Sequence, residues 1–221
     1  MRLSAITLAR VLVFIETYDL DPKGKIFFPD LAQALVARFR FQKFPQKFEE
    51  LDGQKGIQFA GGIWNGIAVP QLQVYTNGIL LDTCFSTDDS ERIIEETLIW
   101  AADEFKVNYQ AKMLQQKRKR YLSGLTFYSE APLLKSHSAI ANLSISLDKI
   151  LTDITGHQLS FEATNLTVDF CRLENQIPMA AFILQRRLDT PFSENKYFSE
   201  APLPTDIHLK LLERFEQDLI G

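Results

Sequence analysis

Three histidines, two cysteines and one dense run of carboxylates are the side chains here best suited to nucleophilic, acid–base or metal chemistry. Their spacing supplies little of it. No two of His137, His157 and His208 stand where one helix face or one strand face would present both. His-Glu-x-x-His and paired cysteines are absent, so a zinc site has no sequence support. Gly-x-Ser-x-Gly is absent too. Cys84 stands beside Asp82 rather than beside a cation that would lower its thiol pKa, and it reads as a packed thiol at a strand end. Gly61, Gly62 and Gly66 lack phosphate-loop spacing, and Gly61 and Gly62 read as a bulge or a close backbone approach.

Between Asp82 and Glu104, eight acids accompany one base, Arg92, which gives a local charge of −7. A metal-dependent hydrolase or nuclease needs two or three converging carboxylates. Asp82, Asp88 and Glu162 are the set that reading would assemble. Asp88, Asp89 and Glu91 stand where a helix begins, and N-terminal capping already accounts for them. Glu95 and Glu96 fall on the solvent side of that helix.

Two basic segments stand against this acidic background. Residues 37–48, ARFRFQKFPQKF, interleave Arg38, Arg40, Lys43 and Lys47 with Phe39, Phe41, Phe44 and Phe48. Residues 110–120, QAKMLQQKRKR, hold Lys112, Lys117, Arg118, Lys119 and Arg120, again without an acid. Together they carry nine of the 24 Lys and Arg residues, which marks them as the chain's positive surface. The binding residues expected from this are Arg38, Arg40, Phe41, Lys43, Phe44 and Lys47, with Lys117, Arg118, Lys119 and Arg120. Their charge suits an acidic protein partner or the acidic segment of a second copy. Cations beside stacking aromatics also suit nucleic acid, which is the alternative reading. A third reading is structural: Phe41, Phe44 and Phe48, at i, i+3 and i+7, would bury one helix face while the cations stay solvated.

The elements that must position these residues come from a chain of 221 residues and 25.3 kDa, long enough for a substantial core. It is 46% hydrophobic and 24% charged, which excludes wholesale disorder. The net charge of −4 excludes a generally basic nucleic-acid coat. That total divides unevenly: 16 bases and 15 acids in residues 1–120 give +1, and 8 bases and 13 acids in 121–221 give −5. Two distant cysteines demand no disulfide framework. The amino-terminal apolar run is too short for a signal sequence, and no stretch approaches 18 apolar residues. The expected setting is the cytoplasm, away from membranes, with no cofactor implied.

Leu8 to Thr17 reads as a buried strand, and Pro29 opens a helix with Leu31, Leu35 and Phe39 on one face. Gly56 to Asn65 reads as a strand. Leu72–Thr76 and Ile79–Thr83 flank Asn77-Gly78, the pair best able to occupy a type I′ turn. Ser86-Thr87-Asp88-Asp89 caps a helix whose inner face is Ile93, Ile94, Thr97, Leu98, Ala101 and Phe105. Tyr121–Tyr128 reads as a strand. Ile140, Leu143, Leu147, Ile150, Leu151 and Ile154 give helical spacing up to Gly156, although alternation over 143–147 also fits a strand. Gln158–Cys171 reads as a hairpin turning near Thr164-Asn165, and Ala180–Arg187 and Tyr197-Phe198 as strands. Pro204-Thr205-Asp206 opens a last helix burying Ile207, Leu211, Phe215 and Leu219.

The order is β-α-β-β-α to about residue 105 and β-α-β-β-β-α from about 118. This implies an α+β fold with antiparallel hairpins packed on about four main helices. Two similar halves, 1–108 and 109–221, are the expected organisation, either separate or continuous as one domain. Ser129-Glu130-Ala131-Pro132-Leu133 recurs as Ser199-Glu200-Ala201-Pro202-Leu203, which reads first as shared strand-to-helix junction grammar and second as duplication. The function expected is non-catalytic: a protein–protein interaction protein, a subunit or adaptor of a larger intracellular assembly, binding a protein partner or itself.

Overall fold

The computed structural model describes residues 1–115, 118–134, 138–169 and 179–220. The fold is α+β. Eight antiparallel strands form one sheet in the order β2-β3-β4-β1-β5-β8-β7-β6. The chain runs β1 (Arg2–Val13), α1 (Thr17–Leu20), α2 (Phe28–Phe39), β2 (Ile57–Trp64), β3 (Ile67–Tyr75), β4 (Gly78–Thr83) and α3 (Thr87–Phe105). It continues with β5 (Lys119–Tyr128), α4 (Ser138–Thr155), β6 (Asn165–Val168), β7 (Phe182–Arg186), β8 (Lys196–Ala201) and α5 (Thr205–Ile220). Contacts group the chain into two compact units. The first is Ile6–Ser123 with Leu203–Asp206; the second is Met1–Ala5, Gly124–Pro202 and Ile207–Gly221.

In the first unit, alternation along β1 buries Ala9, Val11 and Val13 on one face. Val11 and Val13 join Leu35, Phe39, Phe59, Leu72, Leu81, Ile93, Ile94 and Leu98 in one contiguous core. Ser86 caps α3 as its residue type suggests: its Oγ accepts the Asp89 N–H at 3.0 Å. The β3–β4 hairpin is present, but its turn is shifted by one residue. Tyr75 pairs with Gly78, so the loop is Thr76-Asn77, and neither residue has positive φ. Gly78 serves another purpose, since a Cβ there would lie 2.9 Å from the Val13 carbonyl oxygen of the neighbouring strand. The tight turn with positive φ at both positions is Asn65-Gly66 (φ 46° and 85°), joining β2 to β3.

Helix α2 ends at Phe39 because Arg40 enters the left-handed region (φ 55°), where it caps the helix. The helical face proposed for Phe41, Phe44 and Phe48 therefore does not form. Phe41 folds back into the core, its ring 5.0 Å from Phe39 and 5.4 Å from Phe59, whereas Phe44 and Phe48 are exposed.

In the second unit, β5 and β8 bury Leu125, Phe127, Tyr197 and Ala201, and the Phe127 and Tyr197 rings stack at 5.9 Å. Strand β6 pairs with β7, Asn165 opposite Gln185, and residues 158–164 form no strand. The expected Gln158–Cys171 hairpin is thus corrected over its described part; Cys171 lies outside the described residues. The Phe161 N–H instead donates to Asp148 Oδ1 of α4 at 2.6 Å, which ties that segment to the helix.

Helix α5 is rotated by one residue from the face expected. It buries His208, Leu212 and Glu216, and leaves Ile207 and Leu211 48% and 43% exposed. Polar partners set the rotation. Ser199 Oγ lies 2.9 Å from His208 Nε2, and Glu216 accepts from Ser129 Oγ at 2.6 Å and from the Glu130 N–H at 2.9 Å. The two copies of Ser-Glu-Ala-Pro-Leu thus supply different partners, one to Glu216 and one to His208.

Candidate functional site

The first basic segment is divided by the end of α2. Arg38, on its last turn, holds its guanidinium 4.6 Å from the Trp64 ring centre and 4.7 Å from that of Trp100. Trp64 Nε1 donates to Glu96 at 2.9 Å, so Glu96 is not the free solvent-side acid expected. Arg40 is the exposed cap, and Lys43 is exposed beside an isolated bridge to Ala60. Phe41 is 4% exposed, which removes it from any stacking role. Phe44, Lys47 and Phe48 line a cavity of about 480 Å³ with Pro29, Val36 and Phe59.

The second basic segment lies elsewhere in the same unit. Lys112 and Arg118 line a separate cavity of about 420 Å³ with Tyr18 and Asn108. Lys119 pairs with Glu91, which also accepts from the Tyr121 hydroxyl at 2.6 Å. Arg120 lies over the Phe14 ring at 5.7 Å. Lys117 lies outside the described residues. The two segments therefore line different cavities, and several of their cations already have partners.

Several of the remaining chemical candidates are engaged, while Asp88 is exposed. Asp82 is buried and accepts two 2.8 Å bonds from Arg10. Glu162 lies 3.9 Å from Arg186. Asp89 receives Arg92 and Ser86, which together hold its carboxyl below the usual aspartate value. Among the described residues, no three His, Cys, Asp or Glu side chains form a group that could hold a metal ion. Ser199 and His208 have nucleophile-and-base spacing, but both are fully buried, and Ser199 Oγ is also 2.8 Å from the Ile183 carbonyl. A substrate cannot reach that pair, so it holds α5 against β8. Cys84 is exposed rather than packed, with its thiol 3.6 Å from the Thr7 carbonyl. No helix among the described residues is long and apolar enough to cross a membrane.

Two features that residue types alone did not bring forward stand out in the structure. One is a cavity of about 450 Å³ walled by α2, α3 and the β3–β4 hairpin, with α1 at its rim. A sealed, empty apolar cavity costs about 24 cal/mol per Å³, so one this large would cost on the order of 10 kcal/mol. That is comparable to a whole domain's stability. The space must therefore be open to solvent or filled.

The other feature is α4. No residue of this 18-residue helix is buried. Its half-buried positions are Ala141, Ser144, Asp148, Leu151 and Thr152, mostly small or polar. Most of its large apolar residues face outward: Ile140, Leu143, Leu147, Ile150 and Ile154 form a stripe 37–72% exposed, and Ile145 beside it is 64% exposed. The spacing of the stripe, three then four residues, is that of a helix seam that packs on another helix. The sequence displayed this spacing; what it could not reveal was that the stripe faces away from the chain's own core.

No protein-family model, curated protein or solved structure matches this chain.

Proposed function

We propose that this chain is a non-catalytic interaction protein, a subunit or adaptor that binds a protein partner through the outward face of α4. The observation that carries the reading is the five-residue aliphatic stripe on a helix with no buried residue. Isolated exposed leucines are ordinary, whereas a continuous apolar stripe is the kind of surface patch that most often serves binding. An amphipathic helix with anchors at this spacing binds by laying them against another helix or into an apolar groove. Full burial of an exposed aliphatic side chain contributes about 1.5–3 kcal/mol, and these half-exposed anchors supply a part of that each. Exposed Arg40, Lys43 and Lys47 add a positive surface in the other unit, suited to an acidic region of a partner.

The test is a double variant, Leu143→Glu with Ile150→Glu, purified beside the unaltered protein from its own cells. Both positions are exposed, so helical content by circular dichroism stays the same. The bound proteins, quantified by mass spectrometry, should fall at least tenfold for any direct partner. An unchanged set of bound proteins would overturn the proposal.

A further inference from the structure

We infer that the cavity between α2, α3 and the β3–β4 hairpin binds an uncharged, apolar small molecule of roughly fifteen to twenty carbon atoms. The size follows from the volume. About 450 Å³ is three times the roughly 150 Å³ that accepts a benzene-sized guest. The character follows from the walls. Leu31 and Leu35 of α2, Leu72 and Leu81 of the hairpin, and Ile94 and Leu98 of α3 form an aliphatic lining.

Three of the four polar side chains at this cavity are already engaged within the protein, and the fourth, Tyr18, is 73% exposed at the rim. Thr97 Oγ1 donates to the Ile93 carbonyl at 2.6 Å, and Thr17 Oγ1 donates to the Thr76 carbonyl at 3.0 Å. Asp21 accepts the Lys25 and Ile26 N–H groups at 3.0 and 2.9 Å. They leave a ligand little polar group to satisfy, and Asp21, the one charged residue in the lining, repels an anionic head. A long-chain alcohol or hydrocarbon fits this chemistry; a fatty-acid carboxylate does not.

The site is preformed. Leu35, Leu72, Leu81, Ile94 and Leu98 belong to the contiguous core and are at most 5% exposed. The rim is fixed as well. The Thr17 N–H donates to the Thr76 carbonyl at 2.7 Å, and Asn108 donates from its backbone N–H to the Leu20 carbonyl at 2.7 Å and from Nδ2 to the Asp19 carbonyl at 3.0 Å. A preformed apolar pocket loses little ordering entropy when it fills.

The test uses the full chain and N-phenyl-1-naphthylamine, an uncharged dye that brightens in apolar surroundings. The expected result is micromolar dye binding, displaced by 1-dodecanol at concentrations at least tenfold below those needed for dodecanoate. Ala101→Phe, which places a ring in the cavity wall, should weaken dye binding at least tenfold. Leu147→Glu on α4 should leave it unchanged, which separates this site from the proposed partner face. If Ala101→Phe fails to fold by circular dichroism, Leu31→Trp is the deciding variant. No dye binding, equal displacement by dodecanoate, or loss of binding through Leu147→Glu but not through the cavity variants would each overturn the assignment.

Discussion

Glu216 carries an unusual share of the second unit's polar contacts. Burial alone would raise its pKa, but donors from the Met1 ammonium, Ser129 and Glu130 outweigh that and hold it below the ordinary glutamate value. A carboxylate with a depressed folded-state pKa contributes stability that is present above its unfolded value and lost as pH falls through the folded one. The ordinary value is 4.5, so the loss belongs to acid below about pH 4.5. Glu216→Gln should therefore flatten the pH dependence of the urea midpoint between pH 3 and 6. It should also cost about 2 kcal/mol at neutral pH, because buried donors lose a charged acceptor. Urea curves for both proteins across that range check this, and parallel curves would contradict the assigned role. Arg38 shows a related point. Its residue type marked it as a free binding cation, and instead it lies between the chain's two tryptophans.

At the scale of elements, the two Asn-Gly pairs separate what a glycine can do. Gly66 is needed for its φ of 85°, with open space around it, so Gly66→Ala should lose about 1 kcal/mol through backbone strain alone. Asn77 adopts no positive φ, so Asn77→Ala should change stability by less than about 0.5 kcal/mol. Thermal or urea unfolding of the two variants distinguishes these outcomes; equal losses would mean that the turn assignments are wrong.

These hairpins also mark how far the sequence could be read. Apolar runs, the Asn-Gly pair and capping residues placed β2, β4, β5 and the start of α3, because those signals act within a few residues, whereas the strand read at Leu8–Thr17 begins at Arg2 and ends at Val13. The turn register was missed because Gly78 answers to the Val13 carbonyl on another strand. The buried face of α5 was missed by one residue because His208 and Glu216 have polar partners more distant in the chain, which outweigh the aliphatic periodicity. The basic cluster was legible as a sequence feature, but not the helix stop at Arg40 that sends Phe41 inward and leaves Phe44 and Phe48 outside. The apolar cavity had no sequence signature, since its walls are ordinary core residues.

At the scale of the whole molecule, the units differ in how fully each buries its apolar residues. The first holds one contiguous core that includes the aromatic cluster of Phe39, Phe41, Phe59 and Trp64. The second leaves the α4 stripe and, on α5, Ile207 and Leu211 on its surface. Such exposure costs solubility unless something covers it, and this asymmetry is the physical basis for proposing a protein partner. The most direct measurement places a photoreactive amino acid at Leu147, the centre of the stripe, and irradiates the living source cells. Leu147 should yield a discrete protein adduct, and Arg214, an exposed polar position on α5, should yield none. Absence of any adduct at Leu147, with the protein folded and abundant, would contradict the claim that α4 is a protein-binding face.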